Sequence, residues 1–221
     1  MKVCTDSCLF GAWIADKIEK KGPIPKKILD IGSGTGLLSL MMAQKLNTTI
    51  DAVEIDENSF QQTKENFIQS PWNERLQAFC TDIKNWDHHT KYDLIISNPP
   101  FFENDLRSKQ PNKNIAKHDE GLTLEELLHS IKNNLTIEGN FAVLLPYHRV
   151  ESFVILAINH EYYLKEKLLA KQTPAHSYFR GILLFGTKPE SLIQDELTIK
   201  NREGNYTDEF ISLLKDYYLF L

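Results

Sequence analysis

Ile28-Leu29-Asp30-Ile31-Gly32-Ser33-Gly34-Thr35-Gly36 decides the fold. An apolar β-type run carries one acid, opens into three alternating glycines, and leads into a helical stretch through Met41-Met42-Ala43. A glycine-rich turn between strand and helix lets the backbone approach a ligand closely. The generic rival is a dinucleotide fold, whose fingerprint wants glycines at the first, third and sixth positions of the loop. Gly32 and Gly34 fit that spacing, but Leu37 stands sixth and the remaining glycine is Gly36. Asp30, just ahead of the loop, suits a cationic amino group better than a pyrophosphate.

Outward from this loop, apolar β-type runs alternate with helical stretches. That pattern favours a parallel sheet with helices on both faces. Thr5-Asp6 is expected to cap a first helix running to about Lys20, which Gly22-Pro23-Ile24-Pro25 breaks. Strands are expected over 27–31, 49–54, 76–80, 93–97 and 141–145. Helices fall from about Gly36, over 58–69, over 123–134 and over 150–159. Two further β-rich runs, 162–170 and 179–185, are joined too closely for a helical crossover, so they should pair antiparallel. The expectation is one α/β domain over residues 1–221, with a seven-stranded, mostly parallel sheet closed by an antiparallel final pair.

Two more acids stand at the expected carboxyl ends of strands. Glu54, in Val53-Glu54-Ile55-Asp56, is placed where an acid accepts hydrogen bonds from ribose hydroxyls, and Ile55 can pack on an adenine. Asp82, in Thr81-Asp82-Ile83, can receive an adenine amino group, with Ile83 beside it. Asp30, Glu54 and Asp82 at successive strand ends outline one ligand site with Gly32, Gly34 and Gly36. These features fit S-adenosylmethionine.

Asn98-Pro99-Pro100-Phe101 follows the fourth of these strands. The nitrogen of a planar amine is a poor nucleophile, because its lone pair is delocalised. Its methylation calls for geometry before basicity. The side-chain oxygen of Asn98 can accept one N–H and the carbonyl of Pro99 the other, leaving the lone pair aimed at the methyl carbon. The prolines remove backbone donors and hold Asn98 extended. Phe101 offers a flat face to the planar group. The sequence therefore predicts methyl transfer to an exocyclic or amide nitrogen.

Composition narrows the setting. At 221 residues, 42% hydrophobic and 10% aromatic, the chain can bury a sizeable core. No apolar run reaches transmembrane length, and no signal peptide is visible. Cys4, Cys8 and Cys80 are an odd, sparse set, which fits reduced thiols in a cytoplasm and a chain without a metal. The net charge of −5 means that any nucleic-acid partner must be met by a local patch or be a small folded target. Lys109, Lys113, Lys117 and His118, in the polar loop after the clamp, are candidates for phosphate contacts. The His88-His89 pair reads as solvated. A monomer is expected.

The glycine loop and the Asn-Pro-Pro-Phe stretch together resemble the Asn-Pro-Pro-Tyr/Phe branch of class I, Rossmann-like methyltransferases. Within that branch the chain looks most similar to bacterial tRNA (adenine-N6) methyltransferases acting beside the anticodon of a valine tRNA. Met1-Lys2-Val3-Cys4-Thr5-Asp6, Leu9-Phe10-Gly11-Ala12-Trp13, the Ser70-Pro71-Trp72 turn, Asn205-Tyr206-Thr207 and Tyr217-Tyr218-Leu219-Phe220 carry that likeness. The resemblance implies that Asn98, Pro99 and Phe101 hold the target base. It implies that Asp30, Gly32, Glu54 and Asp82 bind S-adenosylmethionine, with Thr5 and Asp6 lining its methionine end. Family members carry a further stretch before Met-Lys-Val, so contacts made by such an extension would be missing from this sequence. Glutamine methylation on a protein release factor offers the same planar amine and is the alternative. Guanine-N2 methylation of ribosomal RNA is another, and a cofactor-binding scaffold without activity is the non-enzymatic rival.

Overall fold

A computed structural model describes residues 4–86, 89–99 and 121–220. Helix α1 (Thr5–Lys21) precedes β1 (Lys27–Ile31), α2 (Leu37–Lys45), β2 (Thr49–Glu54), α3 (Glu57–Gln69), β3 (Leu76–Cys80) and β4 (Tyr92–Ser97). Then follow α4 (Leu124–Asn134), β5 (Leu135–Pro146), α5 (Val150–Asn159), β6 (Tyr163–Lys171), β7 (Tyr178–Gly186), β8 (Ile193–Thr198) and α6 (Asp208–Leu214). The roles expected for Phe101, Lys109, Lys113, Lys117, His118 and His88 fall outside the described residues.

The strands form one sheet in the order β3-β2-β1-β4-β5-β7-β6-β8. From β1 the chain steps outward through β2 to β3, then returns to lay β4 on the other side of β1. This reversal puts a crevice at the carboxyl ends of β1 and β4, where open α/β sheets bind ligands. β7 is antiparallel to β6, as the short connection between the runs 162–170 and 179–185 predicts, and it is antiparallel to β5 as well.

The sheet has eight strands where the sequence predicts seven. The extra strand, β8, pairs parallel with β6 at the outer edge. Its first four residues are exposed and include Gln194, Asp195 and Glu196, so it lacks the apolar alternation by which the other strands are legible. Charge on an edge strand also discourages pairing with another chain. Helix α6 is likewise absent from the expected elements; Thr207 caps it by accepting from the Phe210 N–H. At the other terminus Thr5 and Asp6 lie inside α1 and do not cap it; Cys4 holds the cap position without a side-chain hydrogen bond.

Alternation divides the core into two layers. On β5, Phe141, Val143 and Leu145 face one layer, and Ala142 and Leu144 face the other. Phe185 and Leu183 on β7 join the first set, Leu184 and Ile182 the second. Side chains two residues apart share a face, so strands covered on both sides are apolar throughout. Phe141 stacks on Phe185 at 4.8 Å, and Phe153 of α5 meets Phe185 edge-on at 5.7 Å. Truncating such a phenylalanine to alanine costs about 3–5 kcal/mol. Helices α1, α2 and α6 cover the opposite layer. Eight successive residues of α1, Cys8 to Ala15, are buried there, because the helix is enclosed on several sides.

Candidate active site

The register fixes which residues meet. Ile31 pairs with Ser97, so Gly32 and Asn98 leave the sheet side by side from neighbouring strands. Glu54 ends the next strand over, and Asp82 follows β3 on the same edge. The glycine loop and the clamp therefore open on one crevice.

The loop between β1 and α2 turns on left-handed glycines. Gly32, Gly34 and Gly36 have φ of 71°, 59° and 77°. Side chains are strained there. At Gly36 space is short as well: a Cβ would lie 2.6 Å from Phe67 of α3. At Gly32 a Cβ would meet nothing within 4 Å, so open space lies beside the backbone. Helix α3 holds the loop from outside. Thr63 Oγ1 donates to the Gly34 carbonyl at 2.7 Å, and Asn66 Nδ2 donates to that of Thr35 at 2.8 Å.

Glu54 braces the loop from the β2 side. Its Oε2 accepts from the Gly34 N–H at 2.8 Å and its Oε1 from the Asp56 N–H at 3.0 Å. Each carboxylate oxygen has a second lone pair, so capacity for two hydroxyl donors remains. Ile55, next in sequence, is 65% exposed on this edge, where its side chain is free to cover a flat ring. Asp82 caps a short turn by accepting from the Lys84 N–H at 2.9 Å, and Lys84 Nζ stands 3.6 Å from its other oxygen. Ile83 is buried in the core layer that contains Val53 and Trp86.

Asp30 is fully buried. Alternation on β1 points it toward α2, where Ser39 Oγ donates to its Oδ2 at 2.7 Å. Its Oδ1 and the Ser33 Oγ have no partner among the described residues. Burial pushes the Asp30 carboxyl up to about 7; the hydroxyl and N–H of Ser39 oppose the rise and the charge of Glu54 adds to it. An unpaired buried carboxyl oxygen is costly unless a donor or cation completes it.

Asn98 is held by a residue that sequence reading missed. Its Nδ2 donates to Ser7 Oγ of α1 at 3.0 Å, and its Oδ1 is buried without a partner among the described residues. The amide is thus oriented with its acceptor open. Ser7 is fixed in turn: its N–H donates to Asp6 Oδ1 at 3.1 Å, and Arg180 Nε of β7 donates to Asp6 Oδ2 at 2.7 Å. Asp6 therefore carries an ion pair beside the clamp, and Thr5 opens the helix next to it. Pro99 is buried.

The unpaired Oδ1 of Asp30, the open space at Gly32 and the acceptors at Glu54 and Asp82 fit a nucleoside that carries an amino acid with a cationic amine. Comparison with known proteins points the same way. The methyltransferase small domain family matches residues 11–148. A tRNA1(Val) (adenine(37)-N6)-methyltransferase from Phocaeicola vulgatus is 37% identical, with 99% of this chain and 91% of that protein aligned. The enzyme of that name from Dyadobacter fermentans is 40% identical over the same shares. The chain belongs to the methyltransferase small domain family and groups with these tRNA methyltransferases. Among solved structures, a predicted O-methyltransferase from Agrobacterium tumefaciens superposes on this methyltransferase with a TM-score of 0.72 at 15% identity, covering 95% of each chain. The glycopeptide N-methyltransferase MtfA, complexed with S-adenosyl-L-homocysteine, gives a TM-score of 0.61 at 11% identity, covering 83% of this chain and 90% of its own. These likenesses establish the class I methyltransferase fold. No described helix of the methyltransferase is long and apolar enough to cross a membrane.

Proposed function

We propose that this chain, as one domain over residues 1–221, uses S-adenosylmethionine to methylate N6 of an adenosine in a tRNA anticodon loop, adenine 37 of valine tRNA. The observation that carries the reading is the open, buried acceptor of Asn98 beside the glycine loop. Relatives named for this reaction, aligned over 91% of their length, support the choice of substrate.

When bound, S-adenosylmethionine supplies an electrophilic methyl group on a sulfonium sulfur. Asp30 and the Gly32–Gly36 turn would hold its amino-acid end, near Thr5 and Asp6. Glu54 would take the ribose hydroxyls, and Ile55, Asp82 and Ile83 would take the adenine. Asn98 Oδ1 accepts one N–H of the target amine and the Pro99 carbonyl accepts the other. Two acceptors so placed favour a pyramidal nitrogen with its lone pair free. No strong base is needed, because the amine proton becomes acidic once nitrogen carries the methyl and then leaves to solvent water. The motif assigns the stacking face to Phe101. A tRNA loop suits this arrangement, since an unpaired base is cheap to unstack.

Incubation with labelled cofactor and, separately, bulk tRNA, ribosomal RNA and release-factor protein tests the reading. N6-methyladenosine in tRNA is the expected product. Methylglutamine in the protein, with unlabelled tRNA, would transfer the assignment to the glutamine alternative.

Ser7 acts as a positioning residue. Ser7→Ala frees the Asn98 amide to rotate and should lower kcat about two- to tenfold, the worth of one hydrogen bond, with cofactor affinity unchanged. Ser7→Thr, which keeps the hydroxyl, should restore most of the rate. An unchanged kcat in Ser7→Ala would show that the bond does not set the orientation.

Asp30 makes cofactor binding pH-dependent. Its raised value, about 7, means that deprotonation near neutrality creates the charge that a cationic amine prefers. Affinity should therefore rise as pH passes upward through that range and level off above it. The apo-protein should behave oppositely. The unfolded acid ionises at about 3.9, so stability falls as pH climbs from there toward the folded value. Asp30→Asn should flatten both profiles. Calorimetry and thermal melts on the same samples check the pair of slopes, and parallel profiles in wild type and variant would refute the assignment.

A further inference from the structure

With a net charge of −5, the chain must concentrate its cations to hold RNA. The carboxyl edge of the sheet, on the side of Asn98 away from the cofactor loop, carries Lys171, Arg180, Lys200 and Arg202. Beyond β4 come β5, β7, β6 and β8. β5, β6 and β8 end on this edge and β7 begins there.

Side-chain contacts, neighbouring positions on β7 and one backbone hydrogen bond join the clamp to this edge. Asn98 is bonded to Ser7, and Asp6 beside it pairs with Arg180 at the start of β7. Two residues earlier, Tyr178 lies under Lys171, whose Nζ is 4.2 Å from the ring centroid. Tyr147, just past β5 and 41% exposed, sits 5.2 Å from Tyr178. The chain beyond β8 is tied to the end of β6 by the Lys200 N–H, which donates to the Gln172 carbonyl at 3.0 Å. Lys200 Nζ lies 5.2 Å from the Tyr206 ring, and exposed Arg202 follows in the next turn.

Of the acids on this edge, Asp6 holds Arg180 and Glu196 holds Lys171 at 3.5 Å; Glu151, Glu203, Asp208 and Glu209 are exposed and form no ion pair with a described residue. Lys200 and Arg202 form no ion pair with a described residue, so their charge is open to a ligand. From β4 to β8 the row spans four inter-strand steps, about 19 Å, the reach of several nucleotides. Cations interleaved with accessible aromatic rings track a phosphate backbone while letting unpaired bases stack.

We infer that this edge, from Tyr147 and Tyr178 to Lys200 and Arg202, is a binding platform for the sugar–phosphate backbone of the substrate tRNA, with Tyr147 stacking on an unpaired base. The inference rests on the tRNA reading above and adds where the nucleic acid lies. It adds to the phosphate contacts that the sequence suggests for Lys109, Lys113, Lys117 and His118.

The test compares the full chain with Lys200→Glu/Arg202→Glu, Tyr147→Ala and the control Lys132→Glu, which changes charge on α4. Binding of valine tRNA is followed by fluorescence anisotropy across a salt series, with cofactor affinity and thermal midpoint as checks on folding. The double variant should bind tRNA at least tenfold more weakly at about 150 mM salt, with its log–log salt slope shallower by about 0.7–0.9 for each phosphate that is no longer neutralised. Tyr147→Ala should weaken binding about tenfold or more. In both, the methylation KM should rise while kcat at saturating tRNA stays within about twofold, since neither site touches the reacting atoms. Wild-type affinity and salt slope in both variants, while the wild type methylates tRNA, would overturn the platform and leave the reaction standing. An equal loss in Lys132→Glu would also overturn it, because global charge would then explain the effect. A wild type that neither binds nor methylates tRNA would overturn both.

Discussion

Asn98→Ala should lose about a hundredfold or more in single-turnover methylation while cofactor affinity stays within about twofold. The expectation follows from where the two side-chain ends point. Nδ2 is committed to Ser7 and Oδ1 has no protein partner among the described residues. In the proposed reaction the open oxygen accepts from the substrate amine, so its loss should act on alignment in the transition state. Asn98 borders the proposed cofactor site, but the charged contacts proposed there are those of Asp30, Glu54 and Asp82, so binding should be nearly intact. Asn98→Asp is the informative companion: it keeps an acceptor but loses the donor to Ser7, and it should retain more activity than alanine. Single-turnover rates at saturating cofactor read both. A near-normal rate in Asn98→Ala would reduce the Asn-Pro-Pro stretch to a turn.

Glu54→Ala should weaken cofactor binding by about 1–3 kcal/mol, the scale of lost charge-assisted hydrogen bonds. Two causes add. The ribose loses its acceptor, and the Gly34 and Asp56 N–H groups lose the oxygens that position the loop. Glu54→Gln separates these causes. It retains one side-chain oxygen and should fall between alanine and wild type. Titration calorimetry gives the affinities, and a thermal melt of the apo-protein shows how much of the change comes from the loop itself. Unchanged affinity in Glu54→Ala would remove Glu54 from the ribose.

The central sheet was legible because its strands are buried on both faces. The runs at 27–31, 49–54 and 76–80 match β1, β2 and β3 in their bounds, as does 150–159 for α5. Strand β8 was hidden by its charges, and β5 begins earlier than expected because residues 135–140 join the sheet through a register shift against β4. The glycine loop and the strand-end acids were readable as local motifs. Their supports were not. Ser7 reaches Asn98 across 91 positions and Arg180 reaches Asp6 across 174, separations at which spacing carries no signal. The Asp30 acceptor left open by Ser39, and the Glu54 brace under Gly34, likewise exist only once the strands are paired. Long-range hydrogen bonds of this kind decide side-chain orientation, which is the part of the site that a motif leaves undetermined.

Mass mapping of a valine tRNA transcript after reaction with labelled cofactor decides whether this chain methylates adenine 37. One N6-methyladenosine, at position 37, is expected in wild-type reactions, none with Asn98→Ala, and none when adenine 37 is replaced by guanine. A methyl group on another base, or label that persists in the guanine-37 transcript, would contradict it.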